Sequence, residues 1–156
     1  GVLLDEHNPV ARSKVCPRVA PPAEPGFHAF CYTVPDADAA PSFAAAGSGE
    51  SVEGKGSYRD NTVAYGDTSP EGMLKKGRYV LGEMERRMGL LGFGWADTTG
   101  VQAYTVFAMP PALLEDAVAR GAARHGVTWQ DCRPPVEGLD FEMDCRGITL
   151  ERVLPG

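Results

Sequence analysis

The sequence contains no CxxC pair, no apolar run long enough to cross a bilayer, and no glycine pattern of the GxGxxG or GxxxxGK[ST] kind. Histidine is scarce, and His7, His28 and His125 do not stand at zinc-ligand spacing from Cys16, Cys31, Cys132 or Cys145. No metal is expected, and the cysteines read as free thiols. The stretch GSGESVEGKGS at 47–57 is glycine-rich but lacks the order that cradles phosphate, so it reads as a mobile loop and no cofactor is expected. With no charged n-region followed by an apolar h-region, neither a signal peptide nor a membrane span is visible, and a soluble, cytoplasmic protein is the expectation. Excess basic charge is missing as well. Lys and Arg number 15 against 21 Asp and Glu, and the net charge of −6 argues against nucleic acid as a partner.

What is present is organised around SPEGMLKKGRYVLGEMERRMGLLG at 69–92. Ser69 is an N-cap residue, Pro70 suits the first helical position, Glu71 meets the positive end of the dipole, and Gly92 supplies a C-terminal stop. Met73, Gly77, Val80, Leu81, Met84, Met88 and Leu91 recur at spacings of three and four, which predicts one buried face. Lys75, Lys76, Arg78, Glu83, Glu85, Arg86 and Arg87 are assigned mostly to the other side.

Around this helix the chain reads as a single domain of α+β class. Residues 1–26, with five prolines and no sustained period, form an extended arm, and 27–156 the domain proper. Strands are predicted at 27–34 (FHAFCYTV), 42–47 (SFAAAG), 101–107, 127–132 and 139–148. Tyr58 to Tyr65 reads as a short strand or an extended lead-in to the long helix, and a second helix is predicted over 111–125, opened by Pro111 and closed by Gly126. This order suggests one sheet with both helices on one face, its other face covered by a second copy of the chain.

Several residues are candidates for chemistry. Glu142 and Asp144 stand two apart on the last strand, so both leave the same face, opposite Phe141 and Met143. Paired carboxylates can raise one pKa into the range of a general acid or base; the plainer reading is a solvated face or an ion pair with Arg146 or Arg152. Arg133, held extended before Pro134, suits a two-pronged grip on a carboxylate, or equally a surface ion pair. Cys132 beside it is either an activated thiol or a buried inert one. Tyr104 and Gln102 share a face of a strand and suit a pocket wall or an interface, as does Trp129. Gly47 and Ser48 offer backbone N–H groups to an anion, or simply make a turn.

SFAAAGSGE at 42–50, the long helix ending in LLGFGWAD, the strand TTGVQAYTVF and the closing LDFEMDCRG, taken in this order, resemble the RidA family over about residues 27–153. The resemblance implies a chorismate-mutase-like fold, a homotrimer whose sheets form a central barrel, and a site between subunits. There an arginine fixes a substrate carboxylate and a glutamate on the last strand helps water attack an imine. The implied reaction releases ammonia from enamines or imines such as 2-aminoacrylate, and relatives include aminomuconate deaminases. Glu142 matches that glutamate. The family's arginine segment falls on Val127 and Thr128, so Arg133 is the nearest substitute. The alternative is a small-acid-binding or regulatory module that uses the same cleft without turnover.

Overall fold

A computed structural model of the chain describes residues 10–52 and 56–153. A four-stranded sheet runs in the order β2 (Phe43–Gly49), β6 (Glu142–Gly147), β3 (Gly100–Tyr104), β4 (Thr128–Gln130). β2 and β3 flank β6 antiparallel, and β4 joins β3 in parallel. A parallel neighbour needs a crossover, and the helix α3 (Pro111–Ala119) supplies it. A separate two-stranded ribbon pairs β1 (Cys16–Pro17) with β5 (Cys132–Arg133). The one-turn helix α1 (Tyr58–Asn61) precedes the long α2 (Pro70–Leu90). Among the described residues no helix is long and apolar enough to cross a membrane.

α2 starts and stops as its sequence predicts. Ser69 Oγ accepts from the Gly72 N–H at 3.1 Å, and the chain leaves the helix through Gly92, whose φ is +81°. Met73, Val80, Leu81, Met84 and Met88 are buried against Phe43 and Ala45 of β2, Val101 and Ala103 of β3, and Phe141, Met143 and Cys145 at β6. Leu113 and Ala117 of α3 complete the same core, so both helices cover one face of the sheet.

The expectations need correction at several points. FHAFCYTV at 27–34 forms no strand: Phe27, Phe30, Tyr32 and Val34 are exposed, because strand propensity has no effect without a neighbouring edge to pair with. The sheet therefore has four strands, and part of the 127–132 piece turns away at Asp131 into the ribbon. Tyr58 to Tyr65 opens as a helical turn, since Ser57 accepts from the Asp60 N–H at 3.3 Å and so caps it. The second helix ends at Ala119, six residues early, where Gly121 adopts φ +118° and lets the chain pass against Trp95 and Ala96. Leu91, placed on the apolar stripe, is exposed, while Lys76, placed on the polar side, is completely buried. Of the arm, residues 1–9 lie outside the described residues, as do 53–55 of the glycine-rich stretch; residues from Ser13 to Arg18 lie against the sheet and the ribbon.

Candidate active site

Period-two alternation along β6 divides its side chains. Phe141, Met143 and Cys145 enter the helix-covered core, and Glu142, Asp144 and Arg146 leave the opposite face. Tyr104 and Gln102 of β3 stand across from Glu142 and Asp144 in the ladder, so they share that face. The Tyr104 hydroxyl donates to Asp144 Oδ2 at 2.7 Å and lies 2.9 Å from Gln102 Oε1. From the arm, Ser13 Oγ donates to the same Asp144 oxygen at 2.5 Å. Burial, with Asp144 close by, pushes the Tyr104 phenol well above its ordinary range, so it remains a hydrogen-bond donor.

Glu142 is only 7% exposed, and its carboxyl has no hydrogen bond or ion pair among the described residues. Burial, then the charges of Asp144 and Glu50, push its carboxyl up to about 7, with Arg87 opposing them. The space it occupies comes from β2. Between Ala45 and Ser48 the ladder slips by one residue, so Ala46 and Gly47 bulge opposite Asp144. A Cβ on Gly47 would stand 2.1 Å from Glu142 Oε1 and 2.9 Å from Ser13 Oγ. Gly47 therefore leaves room for the carboxyl rather than acting only as a turn. Arg87 Nη1 reaches the bulge from below, donating to the carbonyls of Ala46 and Gly47 at 3.3 Å each, while its Nε donates to Glu83 at 3.0 Å.

Residues 1–152 match the profile of a family described as 2-aminomuconate deaminase CnbZ. The chain belongs to that family. It is 46% identical over 156 residues to a 2-amino-5-chloromuconate deaminase of Comamonas testosteroni, a match that covers 99% of this chain and 62% of that protein. The chain thus spans about three fifths of that curated relative. Among solved structures it is similar to a Rid-family protein of unknown function from Yersinia pestis, at 16% identity and a TM-score of 0.48, with 69% and 78% of the two chains covered. A Mycobacterium tuberculosis member of the YjgF/YER057c/UK114 family gives 17% identity and a TM-score of 0.46 over 70% and 80%. Membership in the CnbZ family bears out the resemblance read from the order of SFAAAGSGE, the long helix ending in LLGFGWAD, TTGVQAYTVF and LDFEMDCRG.

In this CnbZ-family chain the remaining candidate residues are dispersed. Arg133 is exposed on the ribbon, its guanidinium 5.7 Å from the centre of the Phe107 ring. Cys132 is buried, and burial, Asp131 and Cys16 push its thiol up, so it is not an activated nucleophile. Ser48 pairs with Met143 in the ladder and is buried. Trp129 is half exposed at the edge strand, its indole N–H donating to the Thr105 carbonyl at 2.9 Å. Sequence reasoning missed Ser13, Glu50, Lys76 and Arg87. For Lys76 a signal existed: it stands three residues after Met73 and four before Val80, on the buried stripe itself. For Ser13 none did, because the contact spans 131 residues.

Proposed function

We propose that the chain is a hydrolytic deaminase, acting in the cytoplasm on a small carboxylate-bearing enamine or imine of the 2-aminomuconate kind. The observation that carries this is Glu142: a buried carboxyl with no hydrogen-bond partner among the described residues, pushed up to about 7, in a chain of the 2-aminomuconate deaminase CnbZ family. A group that holds and releases its proton near neutral pH suits both halves of the reaction. The enamine takes a proton on carbon and becomes the iminium ion. Glu142 removes a proton from water as its oxygen bonds to the iminium carbon, returns that proton to the nitrogen as the C–N bond breaks, and takes the remaining hydroxyl proton as the carbonyl forms, which replaces the proton placed on carbon. The products are ammonia and the carbonyl compound, with no oxidant or reductant required.

Tyr104, through its hydroxyl, and Asp144 and Gln102 beside it form the polar wall. Arg133 is assigned to the substrate carboxylate, reaching it across a seam between copies, with Cys132, Trp129 and the Gly47–Ser48 backbone bordering the cleft. The site then belongs to a homotrimer whose sheets turn their uncovered faces inward as a barrel, with 1–26 an arm over the 27–156 domain. The polar, partly covered face of the four-stranded sheet supports this assembly.

The test is ammonia release from freshly generated 2-aminomuconate and 2-aminoacrylate, with the assembly mass measured by light scattering. Arg133→Ala is expected to raise KM about tenfold with kcat retained, as loss of a charged hydrogen bond implies. A protein that binds a dicarboxylate in calorimetry yet releases no ammonia from either compound would overturn the catalytic reading in favour of a binding module. A stable monomer would remove the seam.

A further inference from the structure

At the inner end of the strand pair β2 and β6 lies a cluster of ions that the reaction above does not use. The Lys76 ammonium, completely buried, meets the Asp140 carboxylate and stands 3.7 Å from Glu50 Oε1. Glu50, equally buried, follows directly on β2 and turns back onto the chain entering β6. Its Oε1 accepts the Asp140 N–H at 2.6 Å and its Oε2 the Phe141 N–H at 3.1 Å. Those are the N–H groups of the two residues immediately before Glu142. Glu50 is itself held by its backbone, whose carbonyl accepts from Val63 at 2.8 Å, and the Ser51–Thr62 bridge lies next along the chain.

Such a cluster contributes little as a source of stability. Removing three charged groups from water costs several kcal/mol each, and apolar residues of similar volume often do as well or better. What the ions accomplish here that apolar residues cannot is directional: a carboxylate with both oxygens committed fixes two successive N–H vectors, and Lys76 and Asp140 fix the carboxylate. The next side chain on that strand is Glu142.

Resting on the reading of Glu142 as the acid–base group, we propose that Glu50, held by Lys76 and Asp140, is a positioning residue that clamps the backbone entering β6 and sets both the place and the field in which the Glu142 carboxyl works. The charged and titratable groups that face Glu142 are Asp144 of its own strand, Glu50 after β2, Arg87 of α2 and Tyr104 of β3. Glu50 and Asp144 favour the protonated carboxyl and Arg87 opposes them, so removing the Glu50 charge shifts the balance toward the anion.

Glu50→Gln keeps the shape, removes the charge and leaves one of the two N–H groups without its acceptor. Expected results are a kcat for ammonia release lower by about 10- to 100-fold with KM within about twofold, and an acid limb of the rate profile displaced to lower pH. A readout independent of turnover is the 13C titration of the Glu142 carboxyl, assigned by its loss in Glu142→Gln; its midpoint is expected to fall in Glu50→Gln. Should that variant not fold, Asp140→Asn keeps the backbone donor and an acceptor for Lys76, and is expected to move the midpoint in the same direction by less. A folded Glu50→Gln, or in its place a folded Asp140→Asn, with midpoint and kcat both unchanged overturns the proposal. If the midpoint moves but the parent protein releases no ammonia, the deaminase reading fails and the positioning role stands.

Discussion

Met143 and Glu142 are neighbours on one strand, are 2% and 7% exposed, and do opposite things for the molecule. Met143 enters the layer between sheet and α2, where its neighbours Met84, Leu81 and Phe141 are apolar and every buried methylene contributes about 0.8 kcal/mol. Glu142 enters the other face, where burial disfavours its charged form and the nearest charges are mostly of its own sign. The same removal from water thus stabilises the fold on one side and, at neutral pH, opposes it on the other. The two faces of β6 separate the requirements: the helix-covered face supplies the stability that lets the other hold a carboxyl in an unfavourable state.

The largest expected consequence of breaking this contrast lies in rate. Glu142→Gln preserves shape and removes the proposed proton carrier, so under that proposal kcat for ammonia release is expected to fall by about 10²–10⁴-fold while circular dichroism stays that of the parent. On the covered face the reverse holds. Met84→Ala leaves a cavity against Cys145, whose sulfur lies 4.0 Å from that of Met84, and is expected to cost about 2–5 kcal/mol in urea unfolding while activity per folded molecule is retained.

A third test reads the cost of the buried carboxyl directly. The Glu142 pKa is raised from 4.5 to about 7, so the folded state binds the extra proton, and stability falls as pH rises between those values. Below about 4.5 the carboxyl is protonated in both states and the difference vanishes. Glu142→Gln is therefore expected to exceed the parent in stability at pH 8 by about 3 kcal/mol and to match it near pH 4, measured by urea titration at both. The smallest effect sharpens the geometry. Gly47→Ala places a methyl 2.1 Å from Glu142 Oε1, so the carboxyl must shift; kcat is expected to drop about 10- to 100-fold with a stability loss of about 1–3 kcal/mol, read by steady-state kinetics and thermal melting.

How much of this was legible in the sequence differs by distance along the chain. The α2 start at Ser69 and Pro70 was legible because a cap and its acceptor lie three residues apart. The common face of Glu142 and Asp144 was legible because a strand alternates, whatever its neighbours are. The strand expected at 27–34 was not obtained, since aromatic and β-branched residues only favour an extended backbone that another strand must then accept. Lys76 was misassigned because a charge was taken as a sign of solvent, although its spacing put it on the buried stripe. Its carboxylate partners, Glu50 and Asp140, come from other parts of the chain.

The sequence by itself determined the helix, the period of the strands, the net negative charge, and the placing of Glu142 and Asp144 on one face of the closing strand; these follow from composition and from forces acting over a few residues. Only the tertiary structure decided that Glu142 is buried, that Gly47 makes room for it, that Ser13 and Tyr104 meet on Asp144, and that Glu50 holds the N–H groups of Asp140 and Phe141. Those contacts join segments as many as 131 residues apart, and desolvation depends on everything packed around a group, which no local pattern specifies.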